Sequence, residues 1–331
     1  METYYGRPLT GRHLSRVRAF LKELGLEWDE ETQVTITLEE DGEILATGSR
    51  QFQVLKCIGV IPDRRGEGLA ASLVSLLIRD GIEAGYGHLF LYTRPSSTPL
   101  FRELGFYEVA VTEEAALMEN RRDGIVKFVQ KIRRPSTGNQ IGAIVANCNP
   151  FTIGHRYLAE QAAQQCDFLY FLVVSEQRSR FPAEVRLALA RAGTAHIPHI
   201  FVCPTGNYLI STATFPTYFI KDRQRIPEIS CLLDLEIFAR HFAGPLKISR
   251  RFIGSEPFCP VTRAYHRQMK MFLPEHGVEV VEIPRYEFAH RAISASDVRM
   301  LLDAGRLEEL RPLVPAETYH YLEGVSTDGV G

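Results

Sequence analysis

The chain has 331 residues, a formal net charge of −2, and 45% hydrophobic against 24% charged residues. That length favours two ordinary domains over one enlarged core, and the composition excludes a disordered or fibrous chain. The near-neutral charge excludes a broad electrostatic footprint for nucleic acid or acidic membranes, while no apolar run approaches the about 20 residues of a spanning helix and polar residues follow Met1 where a leader would turn apolar, so a cytoplasmic protein is expected.

In chain order, the spacing predicts a helix near His13 to Leu24, then alternating segments at Val34 to Leu38, Ile44 to Gly48 and Val54 to Val60 that read as an antiparallel meander. After a glycine-rich turn, Leu69, Leu73, Leu76 and Leu77 fall at helical spacing and give the next helix one buried face, and Leu89 to Thr93 reads as a strand. Charge and turn formers concentrate from Arg133 to Gln140, which places a linker at 135–140 between domains of residues 1–134 and 141–331. Beyond it, strands and helices alternate: Ile141 to Ala146, a helix from His155, Phe168 to Val174, a helix from Ala183, His199 to Cys203, then Phe252 to Gly254 and Val278 to Ile283. Alternation predicts a parallel sheet, whose ligands bind outside the carboxyl ends of its strands, so chemistry is expected just after Ala146, Val174 and Cys203. The stretch after Gly324 reads as a glycine-rich tail. Six cysteines (Cys57, Cys148, Cys166, Cys203, Cys231, Cys259) form no Cys-x-x-Cys pair and no zinc spacing with His, so reduced thiols and no metal site are expected.

The turn Arg64-Arg65-Gly66-Glu67-Gly68-Leu69-Ala70 sits between a strand and a helix, where backbone N–H groups at a helix start suit phosphate and the two glycines permit close backbone approach. Its bland alternative is a turn whose glycines are only conformational. Ile58 to Ala70 resembles motif A of the GCN5-related acetyltransferases, and Leu100 to Phe106 resembles their later Phe-x-x-x-Gly-Phe segment. The resemblance implies an α+β acetyltransferase-like domain with a pocket for a coenzyme-A-like arm at Arg64, Arg65, Gly66, Gly68 and Ala70.

Asn147 to His155 follows the first strand of the second half and opens a helix, a second anion site by geometry, with a protonated or hydrogen-bonding imidazole at its edge. Thr152-Ile153-Gly154-His155 resembles the Thr/His-x-Gly-His signature of the nucleotidylyltransferases, and Ile293 to Arg299 resembles their Ile-Ser-x-Ser-x-x-Arg, with hydroxyl donors at a helix start and a guanidinium for phosphate. Phe181 to Arg186 resembles their Phe-x-x-Glu-x-Arg, preceded by Arg178 and Arg180, and Gly254-Ser255-Glu256 resembles their Gly-Ser/Thr-Asp/Glu element. The implied fold is a Rossmann-like nucleotidylyltransferase domain with a parallel sheet. The implied roles are His155, Thr152 and Arg299 in catalysis, and Asn149, Phe151, Gly154, Arg180, Gly254, Glu256, Ser294 and Ser296 in ATP binding.

Together with Ala213 to Lys221, the order of these segments resembles the citrate lyase ligase family over nearly the whole chain. That resemblance implies ATP with Mg²⁺, acetate, and a partner in the citrate lyase acyl carrier subunit with its thiol on a dephospho-coenzyme-A-derived group. The expected reaction passes through acetyl-adenylate and releases AMP and pyrophosphate. Lys221 is a candidate phosphate or acetate contact, with a solvated amine after an apolar strand as the alternative. Two rival activities stay open from sequence: adenylylation of a phosphorylated cofactor precursor, and an acetyl-coenzyme-A-dependent transferase or sensor.

Overall fold

The computed structural model describes all residues except 136–137, 177–178, 210–214, 257–258, 290 and 329–331, together with the side chains of 326–328. Ser136 and Thr137 of the expected linker, Arg178, Ala213, Thr214, Pro257 and Phe258 therefore lie outside the described residues. Packing divides the chain into two compact units, Met1–Gly124 with Phe215–Glu236, and Ile125–Thr214 with Ile237–Gly331. The division does not follow the chain at 135–140: residues 125–134 pack with the second unit, and 215–236, inside the span read as the second domain, pack with the first.

In the first unit the elements run β1 (Glu2–Gly6), α1 (Gly11–Glu23), β2 (Val34–Glu40), β3 (Glu43–Gln51), β4 (Val54–Val60), α2 (Leu69–Glu83), β5 (Phe90–Thr93), α3 (Thr98–Glu103), β6 (Tyr107–Val111) and β7 (Ala116–Glu119). They form one sheet in the order β1-β2-β3-β4-β5-β7-β6. Neighbours are antiparallel except β4 and β5, which pair in parallel only at Val54 with Phe90 and Leu55 with Leu91. Past those two rungs the sheet is split. Leu69, Leu73 and Leu77 of α2 are buried against Val34, Ile36 and Leu45, as their spacing required, while Leu76 is half-buried at the edge of that cluster. The helix starts at Gly68, whose φ of +79° follows Gly66 at +87°. Side chains with a Cβ rarely adopt that left-handed backbone, so both glycines are required by the turn itself.

The second unit begins with α4 (Gly124–Gln130) and continues β8 (Ile141–Ala146), α5 (Ile153–Ala163), β9 (Phe168–Val173), α6 (Ala183–Gly193) and β10 (Ile200–Pro204). After α7 (Ile226–Ile237), which packs with the first unit up to Glu236, the second unit resumes with α8 (Gly244–Leu246), β11 (Arg250–Gly254), α9 (Pro260–Glu275), β12 (Glu279–Ile283), the hairpin β13 (Glu287–Phe288) and β14 (Arg291–Ala292), α10 (Ala295–Asp303) and α11 (Ala316–Asp328). The stretch after Gly324 thus continues a helix to Asp328. Strands β8 to β12 are all parallel in the order β10-β9-β8-β11-β12. Their near-continuous apolar runs, such as Phe168–Val173 with all six residues buried, are what a sheet covered on both faces demands. Order reverses at β8, between β9 on one side and β11 on the other, and a crevice opens at such a switch point. Among the described residues no helix is long and apolar enough to cross a membrane.

Candidate functional site

A cleft of about 700 Å³ lies at that switch point in the second unit. Its floor is the carboxyl end of β8, from Val145 to Asn147, and one wall follows β11 at Gly254 and Glu256. Pro284, Arg285 and Tyr286, after β12, line it as well. The expected positions after Val174 and Cys203 are not among its described lining residues, because the reversal in strand order opens the crevice toward β11 and β12.

Helix α5 starts in this cleft on a capping box. The Thr152 hydroxyl accepts from the His155 amide at 3.3 Å, and the Thr152 amide donates back to His155 Nδ1 at 3.0 Å. The Thr152 hydroxyl lies 2.8 Å from the same ring nitrogen. Because Nδ1 accepts from a backbone N–H, the network assigns the ring proton to Nε2, so the imidazole presents an N–H donor. His155 is partly exposed to the cleft but packed closely by protein atoms, and burial, followed by the charge of Arg285, pushes its pKa down to about 4. Of the two states considered for this ring, the protein's own groups favour the neutral, hydrogen-bonding one.

That depression has a measurable consequence for stability. With the folded value at about 4 and the ordinary value near 6.5, the unfolded chain binds a proton between those pH values that the folded chain refuses. Stability is therefore full above about pH 6.5 and is lost as pH falls toward 4, by roughly 2 kcal/mol from this one ring after allowance for its contact with solvent. Urea titrations at pH 7.5 and pH 5 should show a smaller acid loss in His155→Asn than in the unsubstituted protein. Equal losses would contradict the assigned neutral state.

The second signature meets the first. A Cβ added to Gly154 would sit 3.5 Å from the Ile293 carbonyl oxygen and 3.8 Å from Ile293 Cβ, so the two segments adjoin at van der Waals distance. Ser294 caps α10, its hydroxyl accepting from the Ser296 amide at 3.1 Å, and Ser294 and Ser296 line the cleft with Thr152, Gly154 and His155. Two helix N-termini thereby face one space, an arrangement that favours an anion.

Other expected residues stand around the cleft without lining it. Arg299 donates to the Asn149 carbonyl and, at 2.9 Å, to the Ser296 hydroxyl, so it ties α10 to the loop after β8; burial and then the charge of Arg180 lower its pKa. Asn149 accepts from the Phe181 amide at 3.3 Å. Phe151 is 0% exposed, packs against Phe171 and stacks at 5.6 Å on the His155 ring, so it supports the imidazole from the core and offers no surface to a ligand. Arg180, expected at phosphate, pairs with Asp303 and covers the Phe181 ring. Lys221 is exposed and packs with the first unit; it is not among the residues of this cleft, and the described residues 215–220 before it form no strand.

Three features escaped the sequence reading. Arg285 lines the cleft beside His155, held by the Ser255 carbonyl at 2.7 Å and by an ion pair with Glu256. Glu256 is 6% exposed in its side chain and also accepts the Cys259 amide at 3.0 Å, so it is a buried anchor and not a solvated turn carboxylate. Its position after Ile283, a predicted strand end, was the available signal for Arg285. His266 and Thr262 of the α9 wall have no motif to mark them. Arg186, last residue of the Phe-x-x-Glu-x-Arg segment, is 0% exposed and donates to the carbonyls of Asn147 (2.7 Å), Val174 (2.6 Å), Glu176 (2.6 Å) and Phe181 (3.0 Å). It holds the loops after β8 and β9 to the start of α6.

The first unit carries its own crevice, of about 540 Å³. Arg64, Arg65, Gly66, Gly68 and Ala70 all line it. Arg64 is braced by Glu40 at 2.8 Å and Glu67 at 2.6 Å, which raises its pKa further.

Residues 141–322 match the citrate lyase ligase C-terminal domain, and residues 8–106 match the acetyltransferase (GNAT) family. Among curated proteins, the chain is 41% identical over 323 residues to a citrate (pro-3S)-lyase ligase of Escherichia coli (strain K12), covering 95% of this chain and 91% of that one. The ligase of the same name from Klebsiella pneumoniae is 38% identical, covering 92% of this chain and 90% of that one. The one from Haemophilus influenzae is 36% identical, covering 94% and 96%.

Proposed function

This chain belongs to the citrate lyase ligase family, and from that premise we propose that it uses ATP to activate acetate and passes the acetyl group to a thiol on the acyl carrier of citrate lyase. The reading is carried by one observation: the N-termini of α5 and α10, the His155 imidazole and Arg285 converge on a single cleft at the switch point of a parallel sheet.

An acetate oxygen attacks the α-phosphorus of ATP; the bond to the bridging oxygen breaks, and pyrophosphate leaves as acetyl-adenylate forms. The protein's part is alignment and charge stabilisation, not covalent chemistry. His155 Nε2–H donates to a phosphoryl oxygen as charge builds there, and its neutral state means that it acts as a dipole and gives up no proton. Arg285 supplies fixed positive charge beside it, and Ser294 and Ser296 add hydroxyl and amide donors. Among the described residues no group of three or more His, Cys, Asp or Glu is placed to hold a metal ion, and the Glu256 carboxylate already serves Arg285. Mg²⁺ arriving with ATP would be bound by phosphate oxygens and water, supplying further neutralisation. In the second step the carrier thiolate attacks the acetyl carbonyl, and AMP leaves.

We assign the crevice of the first unit to the dephospho-coenzyme-A-derived arm, its phosphates at the Gly66 to Ala70 turn. A Cβ on Gly68 would meet no atom within 4 Å, so Gly68→Val acts through the backbone, forcing a β-branched residue to a φ of +79°. Thiol acetylation should fall at least about tenfold while acetate-dependent ATP–pyrophosphate exchange is spared. Loss of both, or of neither, would remove the crevice from the reaction. For the whole reading, the decisive assay mixes the protein with ATP, Mg²⁺, labelled acetate and deacetylated citrate lyase. Label should appear on the carrier subunit, and its absence there with all components active would refute the proposal.

A further inference from the structure

Strands β4 and β5 part after two rungs, and a split in a sheet exposes backbone groups that an entering chain would use. In the first unit one of those groups, the Tyr92 carbonyl, is engaged by the chain itself. The segment Phe215 to Ile220, distant in sequence, is buried there, with Phe215, Tyr218, Phe219 and Ile220 all at most 7% exposed. The Tyr218 hydroxyl donates to the Tyr92 carbonyl of β5. The Tyr218 carbonyl accepts from the Glu27 amide at 2.8 Å, and the Phe219 carbonyl accepts from Arg94 at 2.8 Å. Phe215 meets the Tyr92 ring at 5.7 Å, edge to face. The crevice is lined by the Gly66 to Ala70 turn, by Ile58 to Val60 of β4, by Thr93 of β5 and by Tyr218 and Phe219.

We propose that Tyr218 is a built-in stopper in the split between β4 and β5, so that the first unit holds a pantetheine-type arm, thiol end against the tyrosine, and has no acyl-transfer activity of its own. An arm bound by its phosphates at the turn extends toward the split and meets a ring already hydrogen-bonded to β5. A free thiol fits short of that ring. An acetylated one is longer by two carbons and an oxygen and lacks the space. The crevice thus discriminates for the unacylated carrier, the form that the proposed reaction consumes and not the form it makes. This inference rests on the assignment of the crevice to the arm.

The test uses the full-length protein with coenzyme A and acetyl-coenzyme A as probes, titrated by calorimetry, together with an assay for thiol release from acetyl-coenzyme A in the presence of a primary amine. The unsubstituted protein should bind coenzyme A at least fivefold more tightly than its acetyl form and release no thiol above background. Tyr218→Ala should bring the two affinities within about twofold of each other, while Tyr218→Phe, which keeps the ring, should preserve the preference. Tyr218→Leu makes the same comparison if the alanine variant does not fold. Thiol release by the unsubstituted protein, or a preference that the shortened side chains leave unchanged, would overturn the stopper. No binding of coenzyme A by the unsubstituted protein would instead overturn the crevice assignment beneath it.

Discussion

Replacing His155 with alanine should lower acetate-dependent ATP–pyrophosphate exchange by roughly 10²- to 10³-fold, the loss typical of removing one preorganised donor aimed at developing charge. The size follows from how the ring is held. Nδ1 is spent on the Thr152 amide and hydroxyl, the ring lies on Phe151, and only Nε2–H is left to face the cleft. Such a donor needs no reorganisation when the phosphoryl oxygen gains charge. Alanine also breaks the capping box, which costs about 1 kcal/mol of stability, too little to account for the loss of rate by unfolding. The measurement is exchange of labelled pyrophosphate into ATP by a variant whose circular dichroism matches the parent. A reduction below about fivefold would take His155 out of the chemistry.

Arg186→Met should have the largest effect on stability. The methionine roughly fills the volume, but it leaves the carbonyls of Asn147, Val174, Glu176 and Phe181 without the guanidinium that now serves them in a site that is 0% exposed. Each buried acceptor left unpaired costs about 1 to 3 kcal/mol, so even partial repair by water leaves a loss of at least about 3 kcal/mol. For a unit of this size that corresponds to roughly 6 to 12 °C in transition temperature. Scanning calorimetry of the two proteins decides it, and a shift under about 2 °C would show that the loops after β8 and β9 are held by other means. Because Asn147 lines the cleft of the second unit, exchange should fall in the same variant at temperatures where it remains folded.

Much of the local structure was legible because it follows from short-range rules. Val54 to Val60 and Ile141 to Ala146 coincide with β4 and β8, the glycines at 66 and 68 stand where φ is positive, and Ser294 caps the helix that its motif opens. Strand periodicity, helix capping and left-handed turns are properties of a few adjacent residues, so they survive without knowledge of the rest. Phe151, Arg180 and Arg299 show where that ends. Each sits in or beside a motif whose cleft it does not line, because the direction of a side chain depends on which neighbour packs against it: Phe171 and His155 for Phe151, Asp303 for Arg180, Asn149 and Ser296 for Arg299.

By itself the sequence determined the two kinds of layer, the helix starts at Thr152 and Ser294, and the likeness that identifies the family, since these rest on residue types at fixed spacings. Only the tertiary structure decided that the cleft opens between β8 and β11, that Arg285 stands beside His155, and that Phe215 to Ile220 packs in the first unit against Tyr92 of β5. The physical reason is common to all three. Strand order, burial of a charge and the filling of a gap are set by contacts between segments tens to more than a hundred residues apart, for which no periodicity in one chain carries a signal.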